Sequence, residues 1–139
     1  MKTIRTSGTR GLILAAALGV SVGVGFASPA FAQAVAIVNP DGKVTRLGTL
    51  GGFYSVPSDI NESGQVVGFS AVRLDLFEHA FIAGPDGMGM RDLGTLNESN
   101  RFSSSIALGI NDAGQVVGNT ATTTPGRSHA FITGPDGMG

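Results

Sequence analysis

The sequence predicts an all-β chain of antiparallel, four-stranded repeat units, preceded by a signal-peptide helix. Three observations predict it. Whole phrases of sequence return at an offset of 50 residues. The composition combines 22 glycines and only 14% charged residues with short runs of Val, Ile, Phe and Thr. That is the profile of short strands joined by tight turns, because glycine supplies the positive-φ positions of turns and β-branched residues fit a pleated, half-buried surface. After residue 32, no segment has a helical period.

The N-terminus reads as an export signal. Lys2, Arg5 and Arg10 make the first ten residues basic, and an apolar stretch from Leu12 to Ala27 follows. Ala30-Phe31-Ala32 then closes the segment with a small-x-small pattern, so residues 1–32 are expected to form a Sec-type signal peptide cleaved after Ala32. Arg5 and Arg10 are not adjacent, which argues against a twin-arginine signal. The apolar run is shorter than the roughly 20 residues of a spanning helix, and glycines interrupt it, with Gly11 just before it and Gly19, Gly23 and Gly25 inside it. A membrane anchor is therefore the weaker reading. The expected mature chain, residues 33–139, has no second apolar run long enough to span a membrane. Its expected location is the periplasm, the cell surface or the medium.

The repeat is visible by self-comparison. Ile60-Asn61-Glu62-Ser63-Gly64-Gln65-Val66-Val67-Gly68 returns as Ile110-Asn111-Asp112-Ala113-Gly114-Gln115-Val116-Val117-Gly118. His79-Ala80-Phe81-Ile82 returns as His129-Ala130-Phe131-Ile132, and Gly84-Pro85-Asp86-Gly87 as Gly134-Pro135-Asp136-Gly137. Leu47-Gly48-Thr49-Leu50 returns as Leu93-Gly94-Thr95-Leu96 at an offset of 46, so four residues are inserted after it in the second copy. Ala36-Ile37-Val38-Asn39-Pro40-Asp41-Gly42 is an earlier, partial copy that lacks the His. The chain divides into a partial unit 33–50, a unit 51–96 and a partial unit 97–139, about two and a quarter units.

Each unit is expected to hold four strands. The first leads into Ile-Asn, at about 55–60 and 104–110; Ile106, Leu108 and Ile110 alternate with smaller residues, as a half-buried strand does. Asn-Glu-Ser-Gly and Asn-Asp-Ala-Gly are hairpin turns. Second strands follow at 65–72 and 115–121, and His-Ala-Phe-Ile forms third strands at 79–83 and 129–133. Gly-Pro-Asp-Gly makes another turn, with Pro presetting one φ. A fourth strand is expected to end in Leu-Gly-Thr-Leu. Four antiparallel strands in about 50 residues is the size of a β-propeller blade.

Taken together, His-Ala-Phe, Leu-Gly-Thr-Leu and Ile-Asn-x-x-Gly-Gln-Val-Val-Gly resemble the HAF family of extracellular bacterial repeat proteins, named for His-Ala-Phe, over essentially all of 36–139. The resemblance implies an extracellular location, a β-rich repeat and no established biochemical activity, with no catalytic residues to carry over. Copy number departs from the family, whose members generally carry more repeats. A closed propeller needs at least about four blades, and the sequence stops inside a repeat at Gly139. The expectation is thus a fragment of a longer propeller-like protein, or a protomer that self-associates through open strand edges.

Charge and composition bound the partners. From Gln33 onward six Lys and Arg face ten Asp and Glu, a net of −4. Nucleic-acid affinity rests on phosphate neutralisation, so no nucleic-acid partner is expected. Without Cys there is no disulfide, no thiolate nucleophile and no Cys-bound metal. No cofactor is expected, and no catalytic, cofactor-binding or metal residue is assigned.

Five sets of residues bear groups that could carry chemistry. His79 and His129 have no evident third ligand and read as a structural feature of each blade. Asp41, Asp86, Asp136, Asn61, Asn111 and Asp112 lack the alternating oxygens and closing Glu of a calcium loop and read as turn chemistry. The Ser103–Ser105 and Thr122–Thr124 runs have no specified base and read as loop or strand edge. Asn97-Glu98-Ser99 is a formal glycosylation sequon given no weight. Phe81 and Phe131 repeat and read as core; Phe53, Tyr54, Phe77 and Phe102 do not repeat and lie in or beside connections, where sugar or peptide binding is the alternative. The expected function is a noncatalytic extracellular repeat protein with a structural or interaction role. A glycan- or small-ligand-binding module is one alternative, and part of a propeller-type enzyme is another.

Overall fold

The structure, a computed structural model, describes residues 44–72, 77–97 and 103–138, together with the backbone of 3–5, 12–14 and 36–38. Eleven short strands form three antiparallel sheets among the described residues, and no α-helix occurs there. The first sheet runs β1 (Thr3–Arg5), β2 (Leu12–Leu14), β3 (Ala36–Val38) and β4 (Val44–Arg46). The second runs β5 (Ser55–Ile60), β6 (Val66–Ala71), β7 (Glu78–Ala83) and β8 (Arg91–Asp92). The third holds β9 (Ser105–Ile110), β10 (Val116–Ala121) and β11 (Ser128–Ile132), in the order β11-β10-β9. Every neighbour in a sheet is its neighbour in sequence, so each sheet is a meander.

Of the signal segment, Thr3–Arg5 and Leu12–Leu14 are described, as short paired strands; the helix expected over the remaining apolar stretch, with the cleavage site, lies outside the described residues. One expectation changes, that of the fourth strand. It ends at Asp92, and Leu93–Leu96 leaves the sheet through Gly94, whose φ of +70° favours glycine.

The hairpins form as their residues dictate. The Gly64 amide donates to the Asn61 carbonyl at 3.0 Å, and Gly114 to Asn111 at 3.0 Å. Both glycines have φ near +80° (80° and 77°), the left-handed position such a turn requires. Pro85–Gly87 is a single 3-10 turn, and Pro135–Gly137 turns at the same place with Asp136 left-handed, at φ 58°. Gly68 and Gly118 meet a different need. Each faces a register shift in its hairpin, and a Cβ there would lie 2.0 Å from the Val56 carbonyl oxygen or 2.1 Å from that of Ile106.

Packing buries both faces of the second sheet. Neighbours Val66 and Val67 point to opposite faces (period two in a strand), yet both are wholly buried. Val66 joins Leu47, Ile60, Phe81 and Ala83 in one core, with Leu50 and Met90 packed against it. Val67 joins Ala80 and Ile82 in another, together with Ala107 and Val116 of the third sheet; Leu93, Ile110 and Phe131 pack against that core. Leu93, Ile110, Val116 and Phe131 are the repeat counterparts of Leu47, Ile60, Val66 and Phe81. The same side chains therefore fill the inner face of successive units. Beyond the third sheet the equivalence breaks: Val117 and Ile132, counterparts of buried Val67 and Ile82, are 45% and 67% exposed.

Candidate functional site

The recurring words are the natural candidates for a site, and each is engaged in holding strands or units together. In the first, Asn61 clamps its turn. Its side-chain oxygen accepts from the Gln65 amide at 2.9 Å, and its Nδ2 donates to Gln65 Oε1 at 2.7 Å. The Asn61 amide closes the ring on the Gln65 carbonyl at 3.1 Å. Asn111 and Gln115 repeat the clamp at 2.9 and 2.8 Å. The turns also meet across units. Asn61 Nδ2 donates to the Asn111 carbonyl at 3.1 Å, the Glu62 amide to Asp112 Oδ1 at 3.1 Å, and the Ile110 amide to Asp59 Oδ2 at 3.0 Å. Asp136, in a left-handed conformation at φ 58°, accepts from Gln65 Nε2 at 3.3 Å. Arg91 donates to the Asp136 carbonyl. These polar residues thus stitch one unit to the next.

Leu-Gly-Thr-Leu docks a connection onto the unit that follows it. Ser55 donates to the Gly48 carbonyl at 2.9 Å, and Ser105 to the Gly94 carbonyl at 2.5 Å. The Leu50 amide donates to Ser70 Oγ at 2.9 Å, and Leu96 to Thr120 Oγ1 at 3.1 Å. Residue-by-residue reading missed Ser55, Ser70 and Thr120, and it read Ser105 only as loop or strand edge, whereas it is buried and bonded at both ends of its hydroxyl. The signal was present, because Ser55 and Ser105, like Ser70 and Thr120, stand 50 residues apart. Ser105 does a second task by accepting from the Ala80 amide of the preceding unit at 2.8 Å. It is hydrogen-bonded at both ends of its hydroxyl, while Ser103 is buried with no partner among the described residues.

The two histidines differ. His79 Nδ1 pairs with Asp92 Oδ2 at 2.8 Å, and Asp92 Oδ1 also accepts from the Gly94 amide at 2.7 Å. His129 is exposed, and no pairing is found for it among the described residues. Among the described residues no three His, Asp or Glu side chains group so as to hold a metal ion. No helix among them is long and apolar enough to cross a membrane.

The unrepeated aromatics are spread by environment. Tyr54 donates through its hydroxyl to Glu78 Oε1. Phe53 is exposed and Phe77 half-buried. Phe102 and the side chain of Asp86 lie outside the described residues, as does Asp41. A shallow cleft of about 170 Å³ opens elsewhere, lined by Leu93–Leu96 on one side and Thr120, Phe131, Ile132 and Thr133 on the other. Thr120 of β10 and Phe131 and Ile132 of β11 are the residues the third sheet contributes to it.

No family model, no curated protein and no solved structure matches this chain. Its functional reading therefore rests on its own residues.

Proposed function

We propose that this protein is exported by a Sec-type signal cleaved after Ala32 and acts without catalysis, as stacked propeller-type blades with a structural or interaction role. Membership of the HAF repeat family, and a place in a longer array of such blades, belong to this reading. The observation that carries it is where the repeated residues are spent. Asn61, Gln65, Asn111 and Gln115 close turns, Ser55 and Ser105 hold the connections, and Phe81 and Val66 fill a core. A residue committed to packing or to a satisfied hydrogen bond is poorly placed to turn over a substrate. The exposed face bearing Val117 and Ile132 matches one that a further unit covers in the middle sheet. That match supports an array.

Cleavage after Ala32 removes β1 and β2. The test is the N-terminus of protein recovered from outside the cytoplasm. It should begin at Gln33, and Leu14→Arg, which puts a charge in the apolar stretch, should hold the chain in the cytoplasm with Met1 retained. Full-length protein accumulating in the cytoplasm of cells expressing the unaltered chain would sink the reading.

A further inference from the structure

We propose that the end of the second sheet where β6 passes to β7 binds a neutral carbohydrate, with the Phe53 ring against the sugar and the Tyr54–Glu78 pair holding its hydroxyls. Three short segments meet there. The Ala71 amide donates to the Tyr54 carbonyl and the Gly52 amide to the Ala71 carbonyl, each at 3.0 Å, and Ala71 lies opposite Glu78 in the ladder. The Val72 amide donates to the Phe77 carbonyl at 3.0 Å, which brings Phe77 to the same end. The Tyr54 hydroxyl crosses to Glu78 and donates to Oε1. Glu78 is half-buried, and Phe53 is 54% exposed. Neighbouring units pack against the faces that bear Val66 and Val67, and this group stands between those faces, at the end of the sheet.

The scaffold does not require these side chains. The same backbone frame recurs 50 residues on: the Ala121 amide donates to the Ser104 carbonyl at 2.8 Å, and the Thr122 amide to the Arg127 carbonyl at 3.2 Å. Yet Ser103, Ser104, Arg127 and Ser128 stand where the preceding unit has Phe53, Tyr54, Phe77 and Glu78, and no residue of 72–78 recurs in 122–128. The opposite end of the units, with its Ile-Asn and Gly-Pro-Asp-Gly words, recurs almost unchanged. The four residues inserted after Leu-Gly-Thr-Leu also fall at the varying end. Repeats that share a backbone and differ in the loops of one end carry their recognition residues there. A pyranose offers an apolar C–H face beside adjacent hydroxyls. An aromatic ring meets the first, and a carboxylate accepts from the second. Oε1 of Glu78 keeps the Tyr54 proton, Oε2 accepts a sugar hydroxyl, and the phenol oxygen accepts another. A half-buried carboxylate already engaged by a phenol suits a neutral ligand better than a basic peptide. This site names a ligand class for the interaction role above and rests on that reading.

Tyr54 is the only tyrosine of the chain, which has no tryptophan, so tyrosine emission reports this group alone. The probes are cellohexaose, chitohexaose, mannohexaose and galactohexaose, each titrated into the full chain. A saturable change in tyrosine emission is expected with at least one of them. Phe53→Ala and Glu78→Gln should each weaken that binding about tenfold, as read by calorimetry. Met88→Ala, past the far end of β7 and 73% exposed, should leave it unchanged. Circular dichroism should show each variant folded. If Glu78→Gln fails to fold, the surface change Phe53→Ala still decides. A folded chain that binds none of the sugars, that binds them as well after Phe53→Ala, or that binds a tetralysine peptide in their place overturns the proposal. That failure leaves signal cleavage intact, and failed cleavage leaves sugar binding intact, so the two readings fall separately.

Discussion

At the residue scale, Asn61 acts both within its own turn and between units. It is buried, closes its own turn onto Gln65 and reaches the next unit at Asn111. Asn111 makes the same local clamp but is exposed. Removing a partner from a buried donor or acceptor costs about 1–3 kcal/mol, since the group left behind stays desolvated. Asn61→Ala should therefore lower stability by about 2 kcal/mol, and Asn111→Ala by clearly less, because water replaces the lost bonds there. Urea unfolding of the two variants measures the difference; equal losses would contradict the cross-unit role. The pair Tyr54–Glu78 has no repeat counterpart, since Ser104 and Ser128 stand at those positions. It belongs to one unit alone.

Hairpin geometry dominates at the element scale. Gln-Val-Val-Gly ends in glycine because a carbonyl from the facing strand presses on that position at the register shift. Overpacking of this kind costs about 1–3 kcal/mol, and the obstacle is backbone, which yields little. Gly68→Ala and Gly118→Ala should each destabilise by about that amount, read by thermal melting, whereas Gly48→Ala, with open space around its Cβ, should change the melt little. The element Leu-Gly-Thr-Leu shows how a strand-like word acts otherwise in place. Its alternation of apolar and small residues suits a strand, yet Leu93–Leu96 turns away after β8 and hydrogen-bonds to Ser105 and Thr120 of the next unit.

At the scale of the whole molecule, burial among the described residues depends on position. Phe81 and Phe131 are the same residue of the same word. One is enclosed between the connection after β4 and the middle sheet, and the other borders an open cleft. Truncating a fully buried Phe costs about 3–5 kcal/mol. Phe81→Ala should unfold the chain or come close to it, and Phe131→Ala should cost no more than about half as much, because part of that ring already meets water. Chemical denaturation of both variants checks the ratio. A similar loss for both would mean that the cleft beside β11 is closed in solution.

The sequence by itself determined the repeat, the strands β5–β7 and β9–β11, and the turns between them. Their cause is local: period-two apolar runs, Asn and Gly at turns, Pro before a tight bend. Repetition then exposed which of these residues act together, as with Ile60 and Ile110 or His79 and His129. Only the tertiary structure decided what the repeated words do. Whether a valine is core or surface is set by what lies across from it, so Val67 is buried and Val117 is not, although their neighbours in sequence are the same. The end of the fourth strand at Asp92 and the docking of the connection by Ser55 and Ser105 are relations between units. A linear pattern holds no information on such distances, because they depend on how one sheet seats on the next.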